Sequence, residues 1–311
     1  MTTQPVIEVE DLVVELTTDQ GVVRAVDGVS FSLQHGDTLG IVGESGCGKT
    51  MTCLALLGLV PSPVGRIVRG AIRVKGRDIV GLGERRLRAI RGQDVAMIFQ
   101  EPMTALNPVF SVRSHLVDVL QRQGLRGRTA NARALTLLDQ VGIAAAAKRL
   151  DDYPHQLSGG MRQRVMIAMA LACKPSVLVA DEPTTALDVT TQAQVLDLID
   201  SLREAHNMSV VLVSHDFGVI AKVCRNVMVM YRGETLEVGR TAQVLAKPQH
   251  IYTRALLNAV PRIRADRADR LPVVSDTVPV DTLLPSGRPF FNNDDLDSGV
   301  DDAAVIGGAS Q

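Results

Sequence analysis

The residues Gly43-Glu44-Ser45-Gly46-Cys47-Gly48-Lys49-Thr50 decide the reading of this chain. They fit the phosphate-binding pattern G-x-x-x-x-G-K-[ST] at every position. Thr38-Leu39-Gly40-Ile41-Val42 before them reads as a short buried strand, and Met51-Thr52-Cys53-Leu54-Ala55-Leu56-Leu57 after them as a helix. Strand, glycine loop and helix gather successive backbone N–H groups and a helix N-terminus around one point, which suits a phosphate. The glycines let the backbone curl towards an anion with no Cβ in the way. In such a loop Lys49 reaches the β- and γ-phosphates of a nucleotide, and the Thr50 hydroxyl helps to hold Mg²⁺. By average residue frequencies, a chance match in a chain this long arises about once in a hundred. The stretch predicts a nucleotide site.

The composition around it is that of an ordinary globular protein, with 311 residues, 46% hydrophobic and 22% charged. That length holds one large domain or two ordinary ones. A formal net charge of −1 makes no overall case for nucleic-acid binding. Aromatic content of 3% with no Trp argues against stacking platforms for single-stranded nucleic acid. The four cysteines (Cys47, Cys53, Cys173, Cys224) form no C-x-x-C pair, so a disulfide framework or cysteine-rich zinc site is excluded and small buried hydrophobes are expected. Met1 to Glu10 lacks a basic region followed by an apolar run, so no signal peptide is expected. No apolar run reaches the length of a membrane span. A membrane role must therefore come through a partner.

Along the chain, Val6 to Leu16 alternates apolar and polar residues as a half-buried strand does, Asp19-Gln20-Gly21 reads as a hairpin turn, and Val22 to Leu33 as its return strand. Pro61-Ser62-Pro63 stops helical structure, Gly70 to Val80 reads as strand with a turn at Lys75-Gly76-Arg77, and Ala96 to Phe99 as a buried strand ending at Gln100. Ser111 to Cys173 reads as helical throughout, a helical insertion between β-rich segments. The α/β alternation then resumes: strands at Val177–Ala180 and Ser209–Val213, a helix over Thr190–Ala205, and closing strands at Val227–Met230 and Glu234–Val238. From Asp266 onward there are nine Asp against three Arg, with Pro272, Pro279, Pro285 and Pro289 interspersed. That segment is expected to be largely disordered or loosely docked.

Three further stretches carry chemistry. Val177-Leu178-Val179-Ala180 is an apolar strand that delivers Asp181 and Glu182. A carboxylate beside a phosphate loop can hold Mg²⁺, and a second can polarise an attacking water. Ser209 to Val213 delivers Ser214 and His215 to the C-terminal end of another core strand, where ligands of α/β sheets bind. Leu157-Ser158-Gly159-Gly160-Met161 opens a helix that Ser158 can cap, with glycine N–H groups as a second anion site. Each has a plainer reading: solvated acids, a structural histidine, and glycines needed for packing.

Together these residues resemble the ATP-binding cassettes of ABC transporters, over about residues 6 to 262. Gly43 to Thr50 looks like Walker A, Gln100 like the Q-loop, and Leu157 to Met161 like the signature motif. Asp181-Glu182 resembles Walker B with its glutamate, Ala186-Leu187-Asp188 the D-loop, and His215 the switch histidine. Gln100-Glu101-Pro102-Met103-Thr104-Ala105-Leu106-Asn107-Pro108, the Met161 variant of the signature, and Tyr252-Thr253-Arg254-Ala255-Leu256-Leu257 are similar to the D-type cassette of dipeptide, oligopeptide and nickel importers.

The resemblance implies an α/β fold, a P-loop NTPase cassette with a RecA-like core, an antiparallel β subdomain and an α-helical subdomain. Residues 1–264 would form the cassette, with the helical subdomain at about 101–173, and residues 265–311 the acidic tail. It implies ATP and Mg²⁺ as ligands. Gly43, Glu44, Ser45, Gly46, Cys47, Gly48, Lys49 and Thr50 would bind the nucleotide, and Thr50, Gln100 and Asp181 the metal. Glu182 would be the general base, with His215 and Gln100 also serving catalysis. Ser158, Gly159 and Gly160 would cover the ATP of a facing cassette, either an F-type partner or a second copy. Two membrane-spanning permease subunits, and indirectly an extracytoplasmic solute-binding protein, would complete an importer at the cytoplasmic face of the plasma (inner) membrane. The expected cargo is di- or oligopeptides, with nickel or another small solute as the alternative; no nucleic-acid partner is expected. Such cassettes often stack the adenine on an early aromatic, but none precedes Phe31, and the candidates for that place are Val23 and Arg24. Many importers of this group carry a cysteine cluster for an iron–sulfur centre near the end; no cysteine follows Cys224, so none is expected. A non-transport ABC ATPase for DNA repair or chromosome organisation would carry a long coiled coil before the signature, and no heptad run is present there.

Overall fold

The computed structural model describes residues 4–101 and 105–259. The segment 265–311 and Pro102-Met103-Thr104 lie outside the described residues.

The fold is built on two sheets, which pack together on one face of the second. The first runs β1 (Ile7–Thr18), β2 (Gly21–Leu33), β4 (Gly65–Val74) and β5 (Arg77–Asp78), antiparallel in the order β2-β1-β4-β5. The second contains β3 (Thr38–Val42), β6 (Val95–Ile98), β7 (Val177–Asp181), β8 (Ser209–Ser214), β9 (Asn226–Tyr231) and β10 (Glu234–Arg240), in the order β10-β9-β3-β8-β7-β6. All its pairings are parallel except β9–β10. The C-terminal ends of β3, β6, β7 and β8 therefore open on one edge.

This second sheet is covered on both faces, which is why its strands read as unbroken apolar runs. Successive side chains alternate between two cores, as the two-residue period of a strand demands. Leu39, Ile41, Val177, Val179, Val211 and Val213 pack towards α1 (Lys49–Leu56) and the antiparallel sheet. Val42, Leu178, Ala180, Val210 and Leu212 pack towards the helices of the other face. Each fully buried Val or Leu contributes about 1.5–3 kcal/mol relative to an exposed one, so one slipped register would forfeit a whole face.

The helical insertion contains α3 (Val112–Arg122), α4 (Gly127–Gln140), the short α5 (Ala146–Arg149) and α6 (Gly159–Ala172). Leu116 and Leu120 of α3 and Ala130, Ala134, Leu137 and Leu138 of α4 recur at helical spacing and are buried in the same core as α6. α7 (Val189–His206), α8 (Phe217–Val223), α9 (Thr241–Ala246) and α10 (Ile251–Asn258) follow the insertion.

The structure departs from the sequence expectations at three places. β4 begins at Gly65, not Gly70: its early residues Arg66 and Arg69 face solvent and pair with Glu15 and Asp11 of β1, so the strand lacks the apolar signal there. Phe99 lies beyond β6 and is 41% exposed rather than buried. α2 (Glu84–Ile90) was not expected; only Leu87 and Ile90 of its seven residues are buried. Arg91, just after it, holds α2 in place by donating to the carbonyls of Leu57 and Gly58, both at 2.8 Å.

Candidate functional site

The loop between β3 and α1 takes the shape its glycines permit. Gly48 has φ 103°, a left-handed conformation, and a Cβ there would meet the Ala25 carbonyl oxygen well under 3.0 Å. Cys47 is tied from outside, its carbonyl accepting from Gly233 N at 2.9 Å. Lys49 folds into the loop it closes: its ammonium donates to Gly43 O at 2.7 Å and Glu44 O at 2.8 Å, and the residue is only 5% exposed. Ser45, Gly46, Gly48, Lys49 and Thr50 line a cleft of about 250 Å³, together with Leu16, Ala25, Met51, Gln100 and Glu182. Gly43, Glu44 and Cys47, predicted with them, do not line this cleft: Gly43 and Cys47 are buried and Glu44 is exposed.

The C-terminal edge of the sheet brings Glu182 to the wall of this cleft and Asp181 behind it, against Thr50. Asp181 ends β7, is 2% exposed, and is hydrogen-bonded by Thr50. Burial pushes its carboxyl above the usual carboxylate range, an effect opposed by the Thr50 hydrogen bond. Its Oδ1 is buried without a hydrogen-bond partner. Glu182 follows with φ 45°, an unusual conformation for a side chain of its size, which turns its carboxylate out of the strand direction. Two donors fix that carboxylate at Oε2: Gln100 Nε2 and Thr185 Oγ1, both at 2.9 Å. His215 Nδ1 lies 3.6 Å from Oε1. Gln100, Glu182 and His215, far apart in sequence, thus meet around one carboxylate.

The residues expected to form a second anion site lie apart from this cleft. Ser158 caps α6, its hydroxyl accepting from Met161 N at 3.3 Å. Gly159 and Gly160 are the first helical residues, so their N–H groups are among those that intrahelical bonding leaves unused. The packing explanation also holds for one of them: a Cβ on Gly160 would sit 2.5 Å from Thr191 Cγ2. These residues line a separate cleft of about 320 Å³ with Ala186, Leu187 and Asp188. That cleft shares no lining residue with the one over Lys49.

Some contributors escaped the sequence reading. Leu16 and Ala25 supply the apolar side of the first cleft, whereas Val23 is exposed and Arg24 is paired with Glu15 and Asp27. Nothing in a β-hairpin sequence marks which residues will overhang a distant loop. Thr185 could have been found, since it follows Glu182 by three residues.

Comparison with known proteins agrees with this geometry. The ABC transporter family matches residues 26–185, and the family described as oligopeptide/dipeptide transporter, C-terminal region, matches residues 236–293. The second match runs past residue 264. The dipeptide transport ATP-binding protein DppD of Bacillus subtilis is 46% identical over 289 residues, covering 92% of this chain and 86% of that protein. The oligopeptide transport ATP-binding protein OppD of Salmonella typhimurium is 47% identical over 286 residues, 91% of this chain and 84% of that protein. Among solved structures, the dimeric post-hydrolysis state of the ATP-binding cassette MJ0796 bound to ADP and Pi superposes with a TM-score of 0.68 at 25% identity, over 76% of this chain and 98% of that one. This chain belongs to the ABC transporter family of ATP-binding cassettes, in its oligopeptide/dipeptide transporter group.

Proposed function

We propose that this cassette hydrolyses ATP to drive uptake of di- or oligopeptides, working at the cytoplasmic face of a membrane. The observation that carries this reading is the Glu182 carboxylate, held by Gln100 and Thr185 at the wall of the cleft over Lys49. A carboxylate so fixed is oriented to take a proton from a water attacking the γ-phosphate, with no reorganisation during the step. His215 beside it would contact the γ-phosphate and help to orient that water. Lys49 would exchange the loop carbonyls it now bonds for phosphate oxygens.

Mg²⁺ fits the donors present: the buried, unpartnered Oδ1 of Asp181 and the neighbouring hydroxyl of Thr50, with Gln100, just after β6, in the wall of the same cleft. When bound, Mg²⁺ neutralises charge on the β- and γ-phosphate oxygens. Asp181 would then regain as a ligand what it loses by burial.

Ser158, Gly159 and Gly160 face a cleft of their own, which supports a head-to-tail pair in which each signature helix covers the ATP of the other cassette. The facing cassette would be an F-type partner or a second copy of this chain. Among the described residues no helix is long and apolar enough to cross a membrane. Passage of the peptide would fall to two permease subunits, fed by an extracytoplasmic binding protein. Residues 1–264 would act as the cassette and the residues after them as an accessory segment.

The test is steady-state hydrolysis by the assembled complex, wild type beside Glu182→Gln. The expected result is a loss of about 10²-fold or more with ATP binding intact. Hydrolysis indifferent to the substitution would remove Glu182 from the mechanism.

A further inference from the structure

α10 reaches back to the phosphate-binding loop. Tyr252 on this helix is fully buried, and its hydroxyl accepts a hydrogen bond from Glu44 N at 3.3 Å. The carbonyl of the same peptide unit, Gly43 O, accepts from Lys49 Nζ at 2.7 Å. One peptide of the loop is thus held from outside by a phenol and from inside by the lysine.

The phenol itself is firmly placed. Its ring packs on Tyr231, the last residue of β9, with centroids 4.7 Å apart. The start of α10 is anchored by the Glu237 carboxylate of β10, which accepts from Gln249 N at 2.7 Å and His250 N at 3.1 Å. Burial, with Glu44 adding to it, pushes the Tyr252 phenol well above the ordinary tyrosine value. It therefore stays neutral. Glu44 lies in the segment matched by the general cassette family and Tyr252 in the segment matched by the peptide group's C-terminal region. The contact joins the two.

We propose that Tyr252 is a positioning residue for nucleotide binding: through Glu44 N–H it fixes the Gly43–Glu44 peptide at the start of the loop, and so sets the affinity for ATP and ADP from the C-terminal region. Removing only the hydroxyl leaves the part-buried Glu44 N–H without its partner and the peptide without that restraint. The fraction of loop in the binding geometry falls, and the apparent affinity falls with it. Tyr252 does not line the cleft, so turnover of bound ATP is unaffected. The inference rests on ATP being the ligand of this loop.

The test uses the full 311-residue chain for binding and melting, and the assembled complex for hydrolysis. Dissociation constants for ATP and ADP, the KM and kcat of hydrolysis, and the melting temperature without nucleotide are measured for wild type, Tyr252→Phe and Tyr231→Phe. Tyr252→Phe is expected to raise both dissociation constants and KM about fivefold to tenfold, the worth of one such hydrogen bond, with kcat nearly unchanged. Tyr231→Phe, which keeps the ring contact, is expected to bind as wild type does. Hydrogen exchange at the Glu44 amide is expected to quicken in Tyr252→Phe. A lower melting temperature with both dissociation constants within about twofold of wild type would reduce Tyr252 to packing and overturn the proposal. Wild-type chain that binds no ATP would instead overturn the assignment of the loop, a separable result.

Discussion

The loop offers a prediction in which two substitutions of identical chemistry should differ because of their surroundings alone. Gly46 and Gly48 both have left-handed backbones, φ 79° and 103°. Alanine at either position carries a strain of about 1–2 kcal/mol from that conformation. At Gly46 nothing lies within 4 Å of the new Cβ. At Gly48 the Cβ falls on the Ala25 carbonyl oxygen of β2 and lies 3.5 Å from Gly233 Cα, and neither is the end of a flexible side chain. Relieving the overlap with Ala25 means moving β2 or the loop itself, which adds about 1–3 kcal/mol, as overpacking elsewhere does. Gly48→Ala should therefore lose about 2–5 kcal/mol and Gly46→Ala about 1–2. Urea unfolding of the nucleotide-free chain, with unchanged slopes, measures the difference directly. If the two variants agree to within about 0.5 kcal/mol, the loop yields locally and the close packing claimed for Gly48 is refuted.

Two further predictions concern groups at the sheet edge and the signature. Asp181→Asn should stabilise the nucleotide-free chain at pH 7 by about 1 kcal/mol, because it removes a buried charge with an unpaired oxygen, while it abolishes the gain in ATP affinity that Mg²⁺ gives. The sign follows from burial holding the Asp181 carboxyl above its unfolded value: the folded state keeps its proton longer, so stability falls as pH rises from the ordinary carboxylate range up to the raised value, and this slope should be missing in Asp181→Asn. Gly160→Ala should lose about 1–2 kcal/mol through the 2.5 Å approach to Thr191 Cγ2, and Thr191→Ser, which deletes that methyl, should recover most of it in a double-mutant cycle read by thermal unfolding.

The loop and the strand ends were legible because their signals are local. Glycines at set intervals announce a left-handed turn, and apolar runs ending in Asp181 or His215 announce a parallel strand covered on both faces. Strand order was not legible. β3 pairs with β8 and β9, nearly two hundred residues later, and only the summed packing of both faces selects those neighbours. α2 was missed because a surface helix with two buried residues carries almost no periodic signal. The β4 start was missed because its early residues meet β1 through Arg–carboxylate pairs rather than apolar contacts. Within the site, residue types were readable and their partners were not. Glu182 could be named from its strand, but its clasp by Gln100 spans 82 positions, and the reach of Tyr252 to Glu44 spans 208.

The central claim is that the signature helix of one cassette completes the ATP site of another. Sedimentation of Glu182→Gln with saturating Mg²⁺ and ATP, alone and mixed with the complex's second cassette, tests it most directly, since a bound ATP that is not hydrolysed should keep the pair closed. ATP-dependent pairing of cassettes is expected, disappearing when Ser158→Arg is combined with the corresponding signature substitution in the second cassette, while each chain still binds ATP. Pairing that ignores ATP, or that survives Ser158→Arg, would contradict it.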